Sequence, residues 1–482
     1  MEKKSIRSNY MYNMFYQILT IIIPLITTPY LSRTLGTENI GIFSYTLSIV
    51  SYFIMLSVLG TSLYGQREIA YQCDNTNERS QIFYEIQFIK MLSLIITSFI
   101  YIIFLCIDNK YDIYYRIMIV ELLSNFLDIS WFFQGIENFK SIVLKNSFIK
   151  LVSLISIFIF VKTKNDLFLY FMIYVLANLF GNLSMWLNLK KYIVKRAYKL
   201  NIKKHIFPIF SLLLPQMAMK IYKVLDKTMI GIMTTNMSEV GFYEQSQKII
   251  LLATTVISAY STVVYSKMAY NYSQKNKDEL KRTMSDSIMF ILFLSIPITF
   301  GICGIASDFV PWFFGNEYLK VIDLLIFSSP IVIFVSITNL IGNRYLIITG
   351  REKLFTKTVV IGSIINVIVN YLLIPKYLSV GAVIGSIFAE GIVLILQFSF
   401  IKNEIDVKKI YINAIKYFLS SIIMLLIILF INNLLNSSII SSIIEVIAGF
   451  LVYIIMLILL KEDYIINNLY NELKKQFKFE SH

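Results

Sequence analysis

Apolar positions along this chain neither alternate with polar ones nor fall on one face of short helices; they run in long blocks separated by short polar turns. About 20 apolar residues at 1.5 Å rise cross the hydrocarbon of a bilayer. By that measure fourteen blocks are candidate spans: 10–34, 40–66, 82–107, 113–136, 141–162, 167–190, 206–234, 240–268, 284–305, 321–348, 355–375, 379–401, 412–432 and 439–460. The pattern predicts an all-α polytopic membrane protein with 14 transmembrane helices. The short turns leave little room for a soluble catalytic domain on either side.

Composition agrees, with 57% hydrophobic residues, 15% charged and a mean hydropathy of +0.68 over 482 residues. The first block follows Lys3, Lys4 and Arg7, holds two prolines and exceeds the length of a secretory core, so it reads as a retained first span. The net charge of +14 comes largely from Lys and Arg in alternate turns, the same turns that share a side with the N-terminus. Positive residues concentrate on the cytoplasmic face, which predicts both termini inside. These turns face anionic lipids; they do not form a nucleic-acid patch. The densest, KKYIVKRAYKLNIKKH at 190–205, reads as a basic connector, and Ile466, Leu469, Tyr470, Leu473 and Phe477 predict an amphipathic tail helix on the inner surface.

An internal repeat divides the chain. IGIFSYTLSI at 40–49 parallels VGFYEQSQKI at 240–249, YLSRT at 30–34 parallels VLDKT at 224–228, and GIENFK at 135–140 parallels GREKLF at 350–355. The common order of these matches predicts two six-helix lobes related by an axis along the membrane normal. The expected organisation is 1–190 for the first lobe with spans 1–6, 191–205 for the connector, 206–401 for the second lobe with spans 7–12, and 402–482 for spans 13–14 and the tail.

Charge inside the spans is the anomaly. Lys90, Lys150, Lys220, Lys223, Lys227, Lys248 and Arg344 all fall within predicted helices, where each charge at the bilayer centre costs roughly 2.5–3.5 kcal/mol on insertion scales. In KIYKVLDK at 220–227, the three lysines lie within about 60° of one another at 100° per residue and climb about 10 Å. Asp226 sits beside the stripe and offsets only part of it. Such a face must border a hydrated cavity or meet anions. Lys248, one turn from Glu244, falls at a similar depth, and the repeat sets Arg33 where Lys227 stands. The expected cationic cavity therefore comprises Arg33, Lys220, Lys223, Lys227 and Lys248, with Lys90 and Arg344 added, and suits a multivalent anion such as a pyrophosphate. Structural ion pairs in a closed interior, Lys223–Asp226 and Glu244–Lys248, are the competing reading. Glu121, Asp128, Glu390 and Glu445 also lie within spans as candidate coupling or charge-pairing groups beside Asp226 and Glu244.

Pro24, Pro29 and Pro215 mark spans one and seven as candidate moving elements. Trp131–Phe133 and Trp312–Phe314 are expected at interfacial belts, and Gly381 and Gly385 at a close-packed helix face. Cys73, Cys106 and Cys303 suggest neither a disulfide framework nor a metal site, and no cofactor is expected. Without a GxxxxGK[ST] loop or an HExxH, and with only His205 and His482, neither an ATP-driven pump nor a zinc enzyme is indicated.

Several segments together resemble the Wzx-type polysaccharide repeat-unit flippases of the MOP (multidrug/oligosaccharidyl-lipid/polysaccharide) exporter superfamily: PLITTPYLSRTLGTENIGIFSY (24–45), WFFQGIENFK (131–140), LPQMAMKIYKVLDKTMIG (214–231), EVGFYEQSQKI (239–249), WFFGNEYL (312–319) and TGREKL (349–354). The resemblance implies a transporter in the bacterial plasma membrane, not an enzyme. It would move undecaprenyl-pyrophosphate-linked oligosaccharide from the inner to the outer leaflet by alternating access between two lobes, for O-antigen or capsule synthesis. Anionic lipids, H+ or Na+ as coupling ion, a polysaccharide polymerase and a chain-length regulator are the partners it suggests. Two rivals keep the fold, a lipid II flippase and a multidrug cation antiporter; a third is a membrane polysaccharide polymerase or glycosyltransferase. The basic stripe counts against a cation exporter and the short loops against an enzyme.

Overall fold

The structure, a computed structural model, describes the backbone of residues 6–107, 110–194 and 200–462. It describes their side chains except at 6–18, 139–141, 144, 212, 214–216, 218–219, 221 and 223. The expected tail helix and His482 lie outside the described residues. The chain divides into two compact units, Met1–Gly241 and Phe242–His482.

The first unit is built from α1 (Ile6–Val58), α2 (Thr61–Tyr71), α3 (Thr76–Ile107), α4 (Asp112–Leu127), α5 (Ser130–Gly135), α6 (Phe139–Phe160), α7 (Leu167–Leu189) and α8 (Lys203–Thr234). α9 (Met237–Ser273) begins in this unit and continues into the second. There it is followed by α10 (Lys277–Phe313), α11 (Lys320–Ser328), α12 (Pro330–Leu340), a π-helical turn (Ile341–Leu346), α13 (Glu352–Tyr377), α14 (Ser379–Ile401), α15 (Val407–Asn432) and α16 (Ile439–Leu459). Among the described residues, ten helices are long and apolar enough to cross a membrane, or eleven if α11 and the segment Pro330–Leu346, bent by 40°, form one span.

These helices are inside out relative to those of a water-soluble protein. On α3 the buried face carries Ser80, Glu85, Gln87, Lys90, Ser93 and Thr97 among apolar residues, while Ile95, Ile96, Phe99, Ile102 and Ile103 are exposed at helical spacing. α16 buries Ser441, Ser442, Glu445 and Gly449 and exposes Ile443, Ile444, Val446, Ile447 and Phe450. An apolar outer face suits lipid, and polar groups turn inward to find partners. This is a multi-pass membrane protein.

Local chemistry decides where the predicted spans break. The first two are one helical run interrupted at Gly36, whose φ of 77° lies in the left-handed region open to glycine. Pro24 and Pro29 sit inside the helix without ending it. The predicted span 113–136 breaks at Asp128, whose ψ of 110° is extended and whose Oδ1 accepts from the Ser130 amide at 2.8 Å. Gly41 and Gly241, equivalent in the internal repeat, pack at close range. A Cβ on Gly41 would lie 1.7 Å from the Met237 carbonyl oxygen, and one on Gly241 2.2 Å from that of Thr37. Gly381 and Gly385 meet Leu373 and Asn370 of α13 at similarly short range, as the GxxxG spacing predicted.

The aromatic clusters correct an expectation. Trp131, Phe132 and Phe133 are buried, with Trp131 stacked 5.8 Å from Phe83, and they form the core of the first unit with Tyr64, Ile86 and Met185. Phe313 and Phe314 are buried as well, and Trp312 donates Nε1–H to Ser442 Oγ at 2.8 Å. They are packing cores, not interfacial belts, because the rings turn onto neighbouring helices.

Candidate cargo-binding cavity of the first unit

α8 enters the first unit with its charged stretch against α1. Thr228 Oγ1 lies 3.0 Å from both Ser48 Oγ and Tyr52 OH. One turn further on, Gly231 lets the helix approach Tyr45; a Cβ there would lie 2.2 Å from its ring. This register brings Lys220, Val224 and Lys227 to a cavity of about 280 Å³. Its remaining walls are Ser44, Leu47, Ser48, Ser51 and Ile54 of α1, Glu121 and Asn125 of α4, and Tyr174 of α7. Two ammonium groups thus face one carboxylate and a row of hydroxyls.

Glu121 is held by neutral donors. Asn178 Nδ2 donates to both carboxylate oxygens, at 3.2 and 3.0 Å, and Asn125 Nδ2 donates to Oε1 at 3.1 Å. Behind it stands Lys90, which is 1% exposed. Its ammonium donates to the carbonyl oxygens of Asn125 at 3.2 Å and Asp128 at 2.8 Å. Lys90 is therefore not a cavity-lining cation as expected: it satisfies the open carbonyls at the end of α4, where the cation also suits the helix dipole. Asp128, a candidate coupling acid, is occupied in the same turn through Ser130.

The other expected residues take different places. The side chain of Lys223 lies outside the described residues, and Asp226 is buried on the neighbouring face of α8. Arg33 is exposed on α1, three residues before the Gly36 break, and does not line this cavity. In the second unit, Lys248 stands 3.7 Å from Glu244, the pair expected from their spacing. Arg344 lies in the π-helical turn, donates to Thr262 Oγ1 at 3.1 Å and covers the Tyr265 ring at 5.4 Å. Such turns are frequent at functional sites. Glu390 is half-buried on α14.

Residues 6–271 match the family described as polysaccharide biosynthesis protein. The chain belongs to that family. A protein of Escherichia coli (strain K12) named as a candidate O-antigen transporter is 25% identical over 83% of this chain and 98% of its own length. The Staphylococcus aureus capsular polysaccharide biosynthesis protein CapF is 23% identical over 77% and 92%. Among solved structures, lipid II flippase MurJ in an inward closed conformation matches with a TM-score of 0.75 at 19% identity, covering 94% of this chain and all of that one. An inward-facing multidrug resistance MATE transporter of the MOP superfamily matches with a TM-score of 0.62 at 13% identity, covering 82% and 95%. At those identities the two structures show the fold alone, and it is the fold of the MOP exporters. The resemblance read from the sequence to Wzx-type flippases of that superfamily stands.

The opposite wall of the cavity escaped the sequence reading. Ser44, Ser48 and Ser51 follow i, i+4, i+7 spacing on one face of the second span, a polar stripe as legible as the lysine ladder. Asn125 and Asn178 carry no such signal, because their relation to Glu121 depends on how α4 and α7 pack.

Proposed function

We propose that the protein is a flippase that moves an undecaprenyl-pyrophosphate-linked oligosaccharide repeat unit from the inner to the outer leaflet of the bacterial plasma membrane by alternating access. Its relatives named for O-antigen transport and capsule biosynthesis support that cargo class, and fourteen spans in two six-helix lobes, with both termini cytoplasmic, are the architecture that goes with it. The observation that carries the proposal is the cavity flanked by Lys220 and Lys227. Ammonium groups replace part of the water that a diphosphate loses on leaving the aqueous phase, and serine hydroxyls beside them suit the adjoining sugar. By its spacing in the sequence Lys223 belongs to the same ladder, and Lys248 and Arg344 are candidate cations of the second unit.

The likeness to MurJ favours one other reading, a lipid II flippase. Deletion of the gene separates the two. Complete surface-polysaccharide repeat units should accumulate on the inner leaflet, and lipid II export should continue. Restoring the gene with Lys220→Gln and Lys227→Gln together should leave the protein inserted and lower repeat-unit export at least about tenfold, the equivalent of 1.4 kcal/mol. Normal export by that variant would remove the cavity from the mechanism, and incomplete repeat units in the deletion strain would point to a transferase instead.

A further inference from the structure

A second set of buried charges lies far along the chain from the lysine ladder, between α10 and α16. Asp308 of α10 is 4% exposed and Glu445 of α16 is fully buried, and their carboxyl groups stand within hydrogen-bonding reach of each other. Among the described residues, Asp308 Oδ2 and both Glu445 oxygens have no donor, and Asp308 Oδ1 accepts from Ser437 Oγ at 3.3 Å. The polar side chains nearby are already committed: Trp312 donates to Ser442, and Asn432 to Ser307. No described lysine, arginine or histidine of α11, α12 or α15, the other helices packed on α10 and α16, pairs with either acid. Asp308 is the charged group that Glu445 faces.

Two adjacent carboxylates cannot both stay ionised in such surroundings. The pair sits behind the wall of an apolar cavity of about 690 Å³, lined by Ile305, Phe309, Trp312, Val446, Gly449 and neighbouring residues. Low-dielectric surroundings sharpen both the repulsion and the cost of unpartnered oxygens. A proton or a metal cation held between them would relieve both. Hard metal ions take about six or more oxygen ligands, which the two carboxyl groups and one serine hydroxyl do not supply. A proton needs two oxygens, in a short charge-assisted O–H···O⁻ bond.

We propose that Asp308 and Glu445 form a buried proton-binding site in which one exchangeable proton, shared by the two carboxyl groups, fastens α10 to α16. On release, the O–H bond breaks, the proton passes to water, and two carboxylates remain to repel each other. Ser437, in the turn between α15 and α16, caps the site, so movement of that turn opens it to solvent. The clasp is present while the proton is bound and is lost as pH rises. This inference is independent of the cargo proposed above.

Infrared spectroscopy of the purified full-length protein, in light and heavy water at neutral pH, tests it. The wild type should show a deuterium-sensitive protonated-carboxyl band that weakens as pH rises and is diminished in both Glu445→Gln and Asp308→Asn. The thermal midpoint of the wild type should fall with rising pH across the same range. It should stay flat in Glu445→Gln, whose amide donates to Asp308 in place of the proton. Absence of the band from the wild type, or its full retention in both variants, would overturn the assignment. So would a sodium-dependent rise in the midpoint seen only in the wild type, which would give the site to a metal cation.

Discussion

Glu85 and Glu121 are both buried carboxylates of the first unit, yet their surroundings differ in kind. Glu85 of α3 is saturated. Its Oε1 accepts from Gln81 Nε2 at 2.9 Å and from the Asn201 amide at 2.8 Å, and its Oε2 lies 2.9 Å from Lys204 Nζ and 2.7 Å from His205 Nε2. His205, itself 1% exposed, is held on its other side by Tyr64 OH at 2.7 Å. The knot joins α2 and α3 to the start of α8, the helix that carries the lysine ladder. Among the described residues Glu121 has amide donors alone, and it faces the cavity it shares with Lys220. A carboxylate whose oxygens are all engaged by its own chain fastens helices; one that keeps a face toward a cavity is left open to a further partner. The same contrast separates Lys90, closed against helix-end carbonyls, from Lys220.

The comparison breaks most readily at the saturated site. Glu85→Ala leaves four donors without an acceptor and should cost about 3–5 kcal/mol, as removal of one partner from a buried charge network does. Thermal unfolding of the detergent-solubilised protein should show it, and a stability near that of wild type would mean that the knot is incidental. A smaller effect is expected at the cavity. Glu121→Gln keeps an acceptor for Asn178, so stability should change by about 1 kcal/mol. Loss of the negative charge should tighten binding of inorganic pyrophosphate up to about tenfold, measured by titration calorimetry; unchanged or weaker binding would separate Glu121 from the anion site. The smallest effect belongs to Arg33→Gln. Arg33 is exposed and outside the cavity, so export should change less than about twofold. A loss as large as that of the Lys220 and Lys227 double variant would return Arg33 to the cargo path.

Much of this was legible in the linear pattern. The helices near 167–190, 206–234, 379–401, 412–432 and 439–460 begin and end within a few residues of the expected positions, because blocks of apolar residues with polar turns leave few alternatives in a bilayer. The ladder was legible because Lys220 and Lys227 share a face of one helix, and a helix has a fixed period. Helix breaks were harder to read: the interruption at Asp128 depends on Ser130, and Lys90, from a different helix, receives the carbonyls it exposes. The sequence placed Lys90 among the cavity cations since burial depth does not show what a long side chain will meet. Nor does the linear order show what His205 meets; Glu85 and Tyr64 reach it from helices more than a hundred residues away.

From the chain alone came the class of the protein, the positions of most helices, the superfamily it resembles, and the stripe of cations on α8. All of these depend on neighbours along one segment, where 3.6 residues per turn and the thickness of hydrocarbon set the geometry. Packing decided the rest: that α8 belongs with the first compact unit, that Lys90 closes a helix end, that Glu121 joins Lys220 at one cavity, and that Asp308 meets Glu445. An ionisable group inside a membrane takes its role from the few groups that touch it, and those contacts exist only once helices distant in sequence lie side by side.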